Sequence, residues 1–280
     1  MRDRHLVEES LDVKALRPEE QTAKTLISAT LELLVEQCDD GSTDGMHDLE
    51  IRHADGSTEA VEVVAAADSE CMALWRLMNG DAERWQEPGL RGGWMVSLEP
   101  TARARRLRRE LPHLLSALEG HGMREVGDGF HCDHPLATLA DKLGIISAHQ
   151  GETDFPGSIY STIEQPADRT GGCVADIGDA LAAWISAFLM KPEQADVLGK
   201  LARSGASATH AYVIVPPFST APFAVTDLLM RSEAPLPLAR PLLPESVTHV
   251  WVAGTWSSGD GFRWSPESQW TKFRTSLAQE

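Results

Sequence analysis

Residues 47–65 read HDLEIRHADGSTEAVEVVA, and this stretch decides the fold of the N-terminal part of the chain. Two runs within it, 47–52 and 59–65, combine β-forming residues with the two-residue period of a strand. Between them, Asp55-Gly56 is a strong short-range signal for a tight turn. The stretch therefore predicts a β-hairpin.

The hairpin brings two acidic residues towards each other. Glu62 shares a strand face with Ala60 and Val64, and an acid on an apolar face needs a partner. If the loop consists of residues 54–56, Asp48 lies opposite Glu62, with Cβ atoms about 4.5–5.5 Å apart. A two-residue loop or a bulge would make the pair diagonal instead. Two carboxylates this close repel each other unless a cation lies between them or one is protonated.

An amphipathic helix is predicted before the hairpin, over residues 18–37. Pro18 suits a first turn, and Glu19 and Glu20 suit the positive end of the helix dipole. A helix packed on the hairpin would bring Glu20, or Glu19, to the two strand acids. Three carboxylates that converge in this way form an oxygen-rich site suited to Mg²⁺ or Mn²⁺. Such an ion can polarise a phosphodiester and activate water.

This pattern resembles the core of the PD-(D/E)XK nuclease superfamily, the restriction-endonuclease-like fold. The matching parts are a helix with Glu20, a hairpin with Asp48 and Glu62, and then a predicted helix (68–79) and strand (94–98). The resemblance covers less than half of the chain. It implies that Asp48 and Glu62 are catalytic, and that Glu20, Asp48 and Glu62 bind Mg²⁺ or Mn²⁺.

Two positions depart from the family pattern. The family has proline before the first acid, where this chain has His47, and lysine two residues after the second acid, where it has Val64. In the family, the lysine helps to orient water and to stabilise charge, and valine can do neither. Arg76 or Arg91 could supply a cation from elsewhere in the chain. The resemblance therefore implies either an active nuclease with a relocated cation or a catalytically silent domain.

A basic helix is predicted over residues 101–119. Arg105, Arg108 and Arg109 share one face, which could hold a phosphate backbone of a nucleic acid. The ordinary alternative is a solvated helix face. The whole chain has 25 basic and 42 acidic residues and a net charge of −17, which argues against a strong general polyanion binder. A second hypothesis is therefore a non-catalytic interaction protein that binds a protein partner in a larger complex.

The predicted fold class is α/β, with a mixed sheet flanked by helices. We expect a restriction-endonuclease-like core over residues 1–120 and a C-terminal α+β extension over 121–280, as two parts or as one continuous domain. Residues 121–172 show no clear period. The predicted elements further along are a helical segment over 179–203 interrupted at Pro192, strands at 211–215 and 247–253, a hairpin partner at 262–264, and an extended proline-rich segment at 231–246.

Targeting signals and disulfides are not indicated. The chain has no run of about 18 apolar residues that would span a membrane. Its N-terminus, MRDRHLVEESLDVK, is charged where a signal peptide needs an apolar stretch, so we expect a cytoplasmic protein. The four cysteines lie far apart without a CxxC pair, which argues against a disulfide framework.

Two further groups have an ordinary interpretation beside a functional one. His131-Cys132-Asp133-His134, with His121 nearby, contains metal-ligand residue types, although histidines on a charged loop are the default. Four C-terminal tryptophans could stack on bases, but a place in the core is favoured. They are Trp251, Trp256, Trp264 and Trp270.

Overall fold

A computed structural model of the chain describes residues 15–79, 85–127, 133–151, 155–255 and 260–276. The chain divides into two compact units. The first takes the chain up to Ala66, Gly172–Pro217 and the part from Ala221 onward, and the second takes Ala67–Gly171 and Phe218–Thr220. The boundary expected at residue 120 falls inside the second unit. The first unit draws strands from both halves of the chain.

The elements in chain order are α1 (Pro18–Leu31), β1 (Leu34–Gln37), β2 (Leu49–Arg52), β3 (Thr58–Ala65), α2 (Ser69–Asn79), β4 (Trp85–Gln86), β5 (Trp94–Leu98), α3 (Ala104–Gly120), β6 (Glu125–Gly127), α4 (Pro135–Lys142), β7 (Ile145–Gln150), β8 (Ser158–Ile163), α5 (Ala167–Thr170), α6 (Asp179–Leu189), a 3₁₀ turn (Pro192–Gln194), α7 (Ala195–Arg203), β9 (Thr209–Val215), α8 (Phe223–Met230), β10 (His249–Gly254), β11 (Asp260–Ser265) and β12 (Gln269–Arg274).

The first unit contains a mixed sheet with strand order β1-β2-β3-β9-β10-β11-β12. The strands β3, β9 and β10 run parallel, and the strands on either side of them pair antiparallel. Helix α1 packs on one face, where Leu26 and Ile27 join Val61 and Val63 in one apolar core. Helices α6, α7 and α8 contribute to a separate core on the other face. The α/β class with a mixed, helix-flanked sheet is therefore confirmed.

The predicted hairpin forms with the register of a three-residue loop. Leu49 pairs with Val61 and Arg52 with Thr58. The backbone N–H of His53 donates to Ser57 O at 3.0 Å, and Gly56 has the positive φ of +86° that this turn requires. Continuing the same register by one residue places Asp48 opposite Glu62.

The first helix is shorter than expected. It ends at Leu31, because Glu32 adopts the left-handed conformation at φ 55°. The chain then extends as β1, in which Val35 is buried against the α1 face of the sheet. The prediction of a helix up to residue 37 was wrong, since the leucines at 33 and 34 continue the helical stripe without marking its end.

The elements that follow the hairpin in the sheet also differ from those expected. The sequence pointed to the helix at 68–79 and the strand at 94–98, which do form, as α2 and β5, but belong to the second unit. In the first unit, α7 packs against β3, and β9 pairs with β3 in parallel. The second unit is thus inserted between a strand and the strand that pairs with it.

The second unit has its own mixed sheet, with strand order β4-β8-β5-β7-β6. Its core includes residues from α2, α3 and α4, with Leu107, Leu111 and Leu114 on the buried face of α3. The irregular stretch 121–172 contains β6, α4, β7, β8 and the short α5, which the sequence did not resolve.

The elements predicted in the C-terminal part form, whereas α8 and β12 were not predicted. The helical segment is interrupted by the 3₁₀ turn that begins at Pro192, and β11 pairs with β10 as a hairpin partner. Residues 231–246 contain neither a helix nor a strand, and part of this segment binds α6 through Asp179 Oδ1, which accepts the N–H groups of Leu238 and Ala239. Among the described residues, no helix is long and apolar enough to cross a membrane.

Candidate functional site

Three carboxylates predicted from the sequence lie buried in the first unit. Glu20, Asp48 and Glu62 are only 3%, 3% and 2% exposed. Glu20 is in the first turn of α1, Asp48 immediately precedes β2, and Glu62 is in the middle of β3. We call these three side chains, with Arg17 and Lys200, the carboxylate site.

Asp48 and Glu62 form a destabilised acidic pair. Burial, together with the charge of Asp48, raises the pKa of Glu62 to about 8. Burial also raises the pKa of Asp48, although the N–H of Val63 donates to Asp48 Oδ2 at 2.8 Å and opposes the shift. Glu62 Oε1 is buried and accepts no hydrogen bond of good geometry from the described residues. Two desolvated acids with an unsatisfied oxygen form an environment that a cation would stabilise.

The cation beside this pair is Lys200, which sequence reasoning missed. Its Nζ lies 3.4 Å from Glu62 Oε1, and its side chain is 19% exposed. Lys200 is in α7, on the face of the sheet to which Ala60, Glu62 and Val64 point. Val64, at the position where the family has lysine, has no charge, but Lys200 on α7 places an ammonium group beside Glu62. Arg76 and Arg91, the cations that the sequence offered, lie in the second unit, where Arg91 pairs with Glu119.

Glu20 is linked to Asp48 through Arg17. The Arg17 side chain forms a close ion pair with Glu20, and its guanidinium lies 3.7 Å from Asp48 Oδ2. Glu20 Oε2 also accepts the backbone N–H of Arg17 at 2.7 Å, which satisfies an N–H group at the start of α1. The helix acid and the nearer strand acid thus share Arg17 as an ion-pair partner.

The carboxylate oxygens are of the type that a hard divalent cation binds, but those of Glu20, Asp48 and Glu62 do not all lie within 4.8 Å of one another. Asp48 and Glu62 offer carboxylate oxygens from adjacent strands, and Glu20 lies on the Asp48 side. An ion held by Asp48 and Glu62 would remove the repulsion between them and satisfy the oxygen that lacks a hydrogen bond. Such an ion supplies Lewis-acid polarisation of a bound ester oxygen and a more acidic water.

A second acid on β3 has the opposite environment. Glu59 Oε1 lies 2.9 Å from His53 Nε2, and Glu59 Oε2 lies 2.7 Å from His210 Nε2. The hydrogen bond from His210 lowers the pKa of Glu59 to about 2. Trp251 Nε1–H donates to His210 Nδ1 at 3.0 Å, so His210 in its neutral form carries its proton on Nε2 and donates it to Glu59.

His249 completes this group. Its ring stacks on His210 at 4.3 Å, and burial lowers its pKa to about 4. We call His53, Glu59, His210, His249 and Trp251 the histidine cluster. The ring nitrogens of His210 are both used in hydrogen bonds, which is typical of a structural role.

The predicted basic face lies in the second unit. Arg105, Arg108 and Arg109 are exposed on α3. The guanidinium of Arg108 lies 5.1 Å from the centre of the Trp85 ring, and Arg109 pairs with Glu110 at 2.7 Å. Two of the three thus already have partners within their own unit.

The remaining candidates from the sequence are accounted for in part. His131 and Cys132 lie outside the described residues, while His134 Nδ1 accepts the N–H of Leu136 and caps α4. Trp251, Trp264 and Trp270 are buried, as favoured, and Trp256 is outside the described residues.

Within the described ranges, one group of three ligand-type side chains has its ligand atoms all within 4.8 Å of one another. It consists of Cys38, His47 and Glu50, none of which the sequence singled out as a metal ligand. The spacing of His47 and Glu50, three residues apart, was visible in the sequence. Cys38 joins them only through the pairing of β1 with β2, and β1 was missed because the helix was predicted to extend to residue 37.

Comparisons with protein-family models, with curated proteins and with solved structures found no match to this chain.

Proposed function

We propose that the first unit is a metal-dependent phosphodiesterase domain related to the PD-(D/E)XK nucleases, with nucleic acid as its substrate. The observation that carries this proposal is the distance of 3.4 Å between Lys200 Nζ and Glu62 Oε1. The resemblance in sequence lacked a cation after the second acid, and Lys200 supplies one from a helix.

The arrangement of elements supports the same proposal. The resemblance requires a helix with an acid, a hairpin with one acid on each strand, and a following helix and strand. In the first unit, these elements are α1, the β2–β3 hairpin, α7 and β9. All the charged groups of the carboxylate site lie on them or directly beside them.

Each group has a chemical role in this proposal. Asp48 and Glu62 would hold Mg²⁺ or Mn²⁺, with Glu20 beside Asp48. Lys200 would stabilise the negative charge that develops on the phosphate and would help to position the attacking water. Arg17 neutralises Glu20 and Asp48 until the ion and the substrate bind.

The alternative of a non-catalytic interaction protein had two sequence-based arguments, the absent lysine and the acidic charge. Lys200 answers the first of these. The acidic charge remains compatible with a nuclease that binds its substrate locally, for which exposed arginines such as Arg105 are candidates.

The test is cleavage of single- and double-stranded DNA and RNA in Mg²⁺ or Mn²⁺, with a chelator as the blank. We expect Glu62→Gln and Lys200→Met each to lower the cleavage rate at least about 100-fold, since each removes a charge at the reacting phosphate. The matched controls are Glu193→Gln and Lys191→Met, exposed residues just before α7, which should retain full activity.

Two results would contradict the proposal. One is the lack of metal-dependent cleavage of every substrate by the folded wild-type protein. The other is cleavage that persists in Glu62→Gln, since a contaminating nuclease would then account for it. In either case the interaction-protein alternative would be favoured.

A further inference from the structure

The group of Cys38, His47 and Glu50 differs in chemistry from the carboxylate site. Cys38 directly follows β1, His47 lies just before β2, and Glu50 is in β2. Their ligand atoms, one sulfur, one nitrogen and one oxygen, all lie within 4.8 Å of one another. All three side chains are half-buried, so an ion can reach them from solvent.

Backbone pairing holds the three residues in place. The N–H of Cys38 donates to Asp48 O at 2.9 Å, which extends the β1–β2 ladder by one step. Glu36 pairs with Glu50 in the same ladder, and Cys38 is therefore diagonal to Glu50 on one face of the sheet. The ligands come from a rigid part of the fold, and residues 39–46 between them form the connecting loop.

The distances suit a tetrahedral ion after a small contraction. Bonds of about 2.0–2.3 Å from zinc to nitrogen, oxygen and sulfur place neighbouring ligand atoms roughly 3.3–3.5 Å apart. Side-chain rotations that move the ligand atoms by about an ångström would bring their separations from at most 4.8 Å to this range. The Nε2 atom of His47 is buried and makes no hydrogen bond with the described residues, so this imidazole nitrogen has no competing partner.

The surrounding charge favours a cation. The negative charges of Glu50, Asp39 and Asp40 act on the Cys38 thiol. Two cations oppose the ion. Arg52 binds Glu50 Oε1 at 3.1 Å and is also paired with Glu36 at 2.8 Å, and the charge of Lys200 acts on His47. A carboxylate has a second oxygen, and the ion can bind Glu50 there.

We propose that Cys38, His47 and Glu50 bind a zinc-class divalent transition-metal ion, with a fourth position open to water. A thiolate and an imidazole select such an ion over Mg²⁺. On binding, the Cys38 thiol releases its proton to solvent, and the ion ties together the two ends of the loop 39–46. This site does not depend on the carboxylate site being a nuclease.

The experiment is titration of the metal-free protein with Co²⁺, followed by absorption spectroscopy. A thiolate ligand produces an intense sulfur-to-cobalt charge-transfer band in the near ultraviolet, and Zn²⁺ should then remove the band by displacing the cobalt. We expect the band to be lost in Cys38→Ser. In His47→Gln and Glu50→Gln, we expect the affinity to fall at least about tenfold, since even loss of an outer-shell partner costs 10- to 100-fold.

Two control variants make the assignment specific. Cys173→Ser removes an exposed thiol elsewhere and should keep the band. Glu62→Gln should also keep the band while it abolishes cleavage, which separates the metal site from the proposed nuclease activity. The inference is overturned if the wild type shows no band, if the band survives in Cys38→Ser, or if neither His47→Gln nor Glu50→Gln weakens binding.

Discussion

Glu59 and Glu62 are three residues apart on the same strand, yet the fold shifts the pKa values of their carboxyl groups in opposite directions. Glu59 faces the α1 side and receives hydrogen bonds from two histidines, which lower its pKa to about 2. Glu62 faces the α7 side, where burial and Asp48 raise its pKa to about 8. The ionised form of a glutamate is thus stabilised in one region and destabilised in the other.

The difference separates a structural cluster from a functional candidate. In the histidine cluster, the polar atoms of Glu59 and His210 are matched by partners, as in a network that specifies a fold. In the carboxylate site, a buried oxygen of Glu62 lacks a hydrogen bond and like charges are adjacent. Acids with strongly perturbed pKa values are concentrated at functional sites, which makes the carboxylate site a functional candidate.

The largest expected effect is that of metal on the stability of the first unit. At a Mn²⁺ concentration of 100 times its Kd, the free energy of unfolding should rise by about 2.7 kcal/mol, provided that the unfolded chain does not bind the ion. Asp48→Asn should abolish the rise and Glu59→Gln should preserve it. Amide hydrogen exchange in β3 and β9 reports this unit separately from the other. An equal rise in the wild type, Asp48→Asn and Glu59→Gln would show that the carboxylate site does not bind the ion.

The next effect comes from matched substitutions in the metal-free protein. Glu59→Gln should lower the free energy of unfolding by about 2 kcal/mol, because it removes a charge-assisted hydrogen bond to His210. Glu62→Gln should leave it nearly unchanged at neutral pH, because the folded Glu62 is mostly protonated there and glutamine is a neutral side chain of similar shape. Urea unfolding of both variants, with the same exchange measurement, checks this. Similar losses in both would show that Glu62 is structural too.

A third effect is on the pH dependence of stability, and its sign differs between the two regions. A folded Glu62 keeps its proton up to about pH 8, whereas an unfolded glutamate loses it near 4.5. The folded state therefore binds more protons between these values, and this contribution to stability falls as the pH rises. For His249, the folded pKa of about 4 lies below the ordinary 6.5, so its contribution falls as the pH falls from 6.5 to 4.

Unfolding measured at intervals between pH 4 and 8 separates these contributions. Glu62→Gln should flatten the slope at the alkaline end, and His249→Gln should flatten it at the acidic end, each by about 1 kcal/mol per pH unit at most. Identical pH profiles of the wild type and either variant would refute the assigned protonation state of that group.

Local patterns predicted the parts of the site that lie close together in the chain. Alternation and the Asp55-Gly56 turn predicted the β2–β3 hairpin, and the structure selects, from the loops that the sequence left open, the three-residue loop that places Asp48 opposite Glu62. Glu20 followed from its place in the first turn of α1. These features depend on short-range periodicity and turn chemistry, which a single sequence expresses directly.

The parts that were missed depend on long-range pairing. Lys200 lies near Glu62 because β9, which follows α7, pairs with β3, although the second unit separates the two strands in the chain. No local sequence pattern predicts that pairing. Cys38 reaches His47 because the chain leaves α1 through a left-handed Glu32, a conformation that glycine or asparagine usually marks. Sequence reasoning thus found the acids and missed both the cation and the second ligand group.

The parallel pairing of β3 with β9 also has a consequence for biosynthesis. β3 ends at Ala65 and β9 begins at Thr209, so the ribosome must make the whole second unit before the first can complete its sheet. At about 5–20 residues per second, the β2–β3 hairpin waits roughly 7–30 s with the inner edge of β3 unpaired. An unpaired strand edge is a template for aggregation, and the inward-pointing charges of Glu59 and Glu62 on that strand oppose such pairing during the delay.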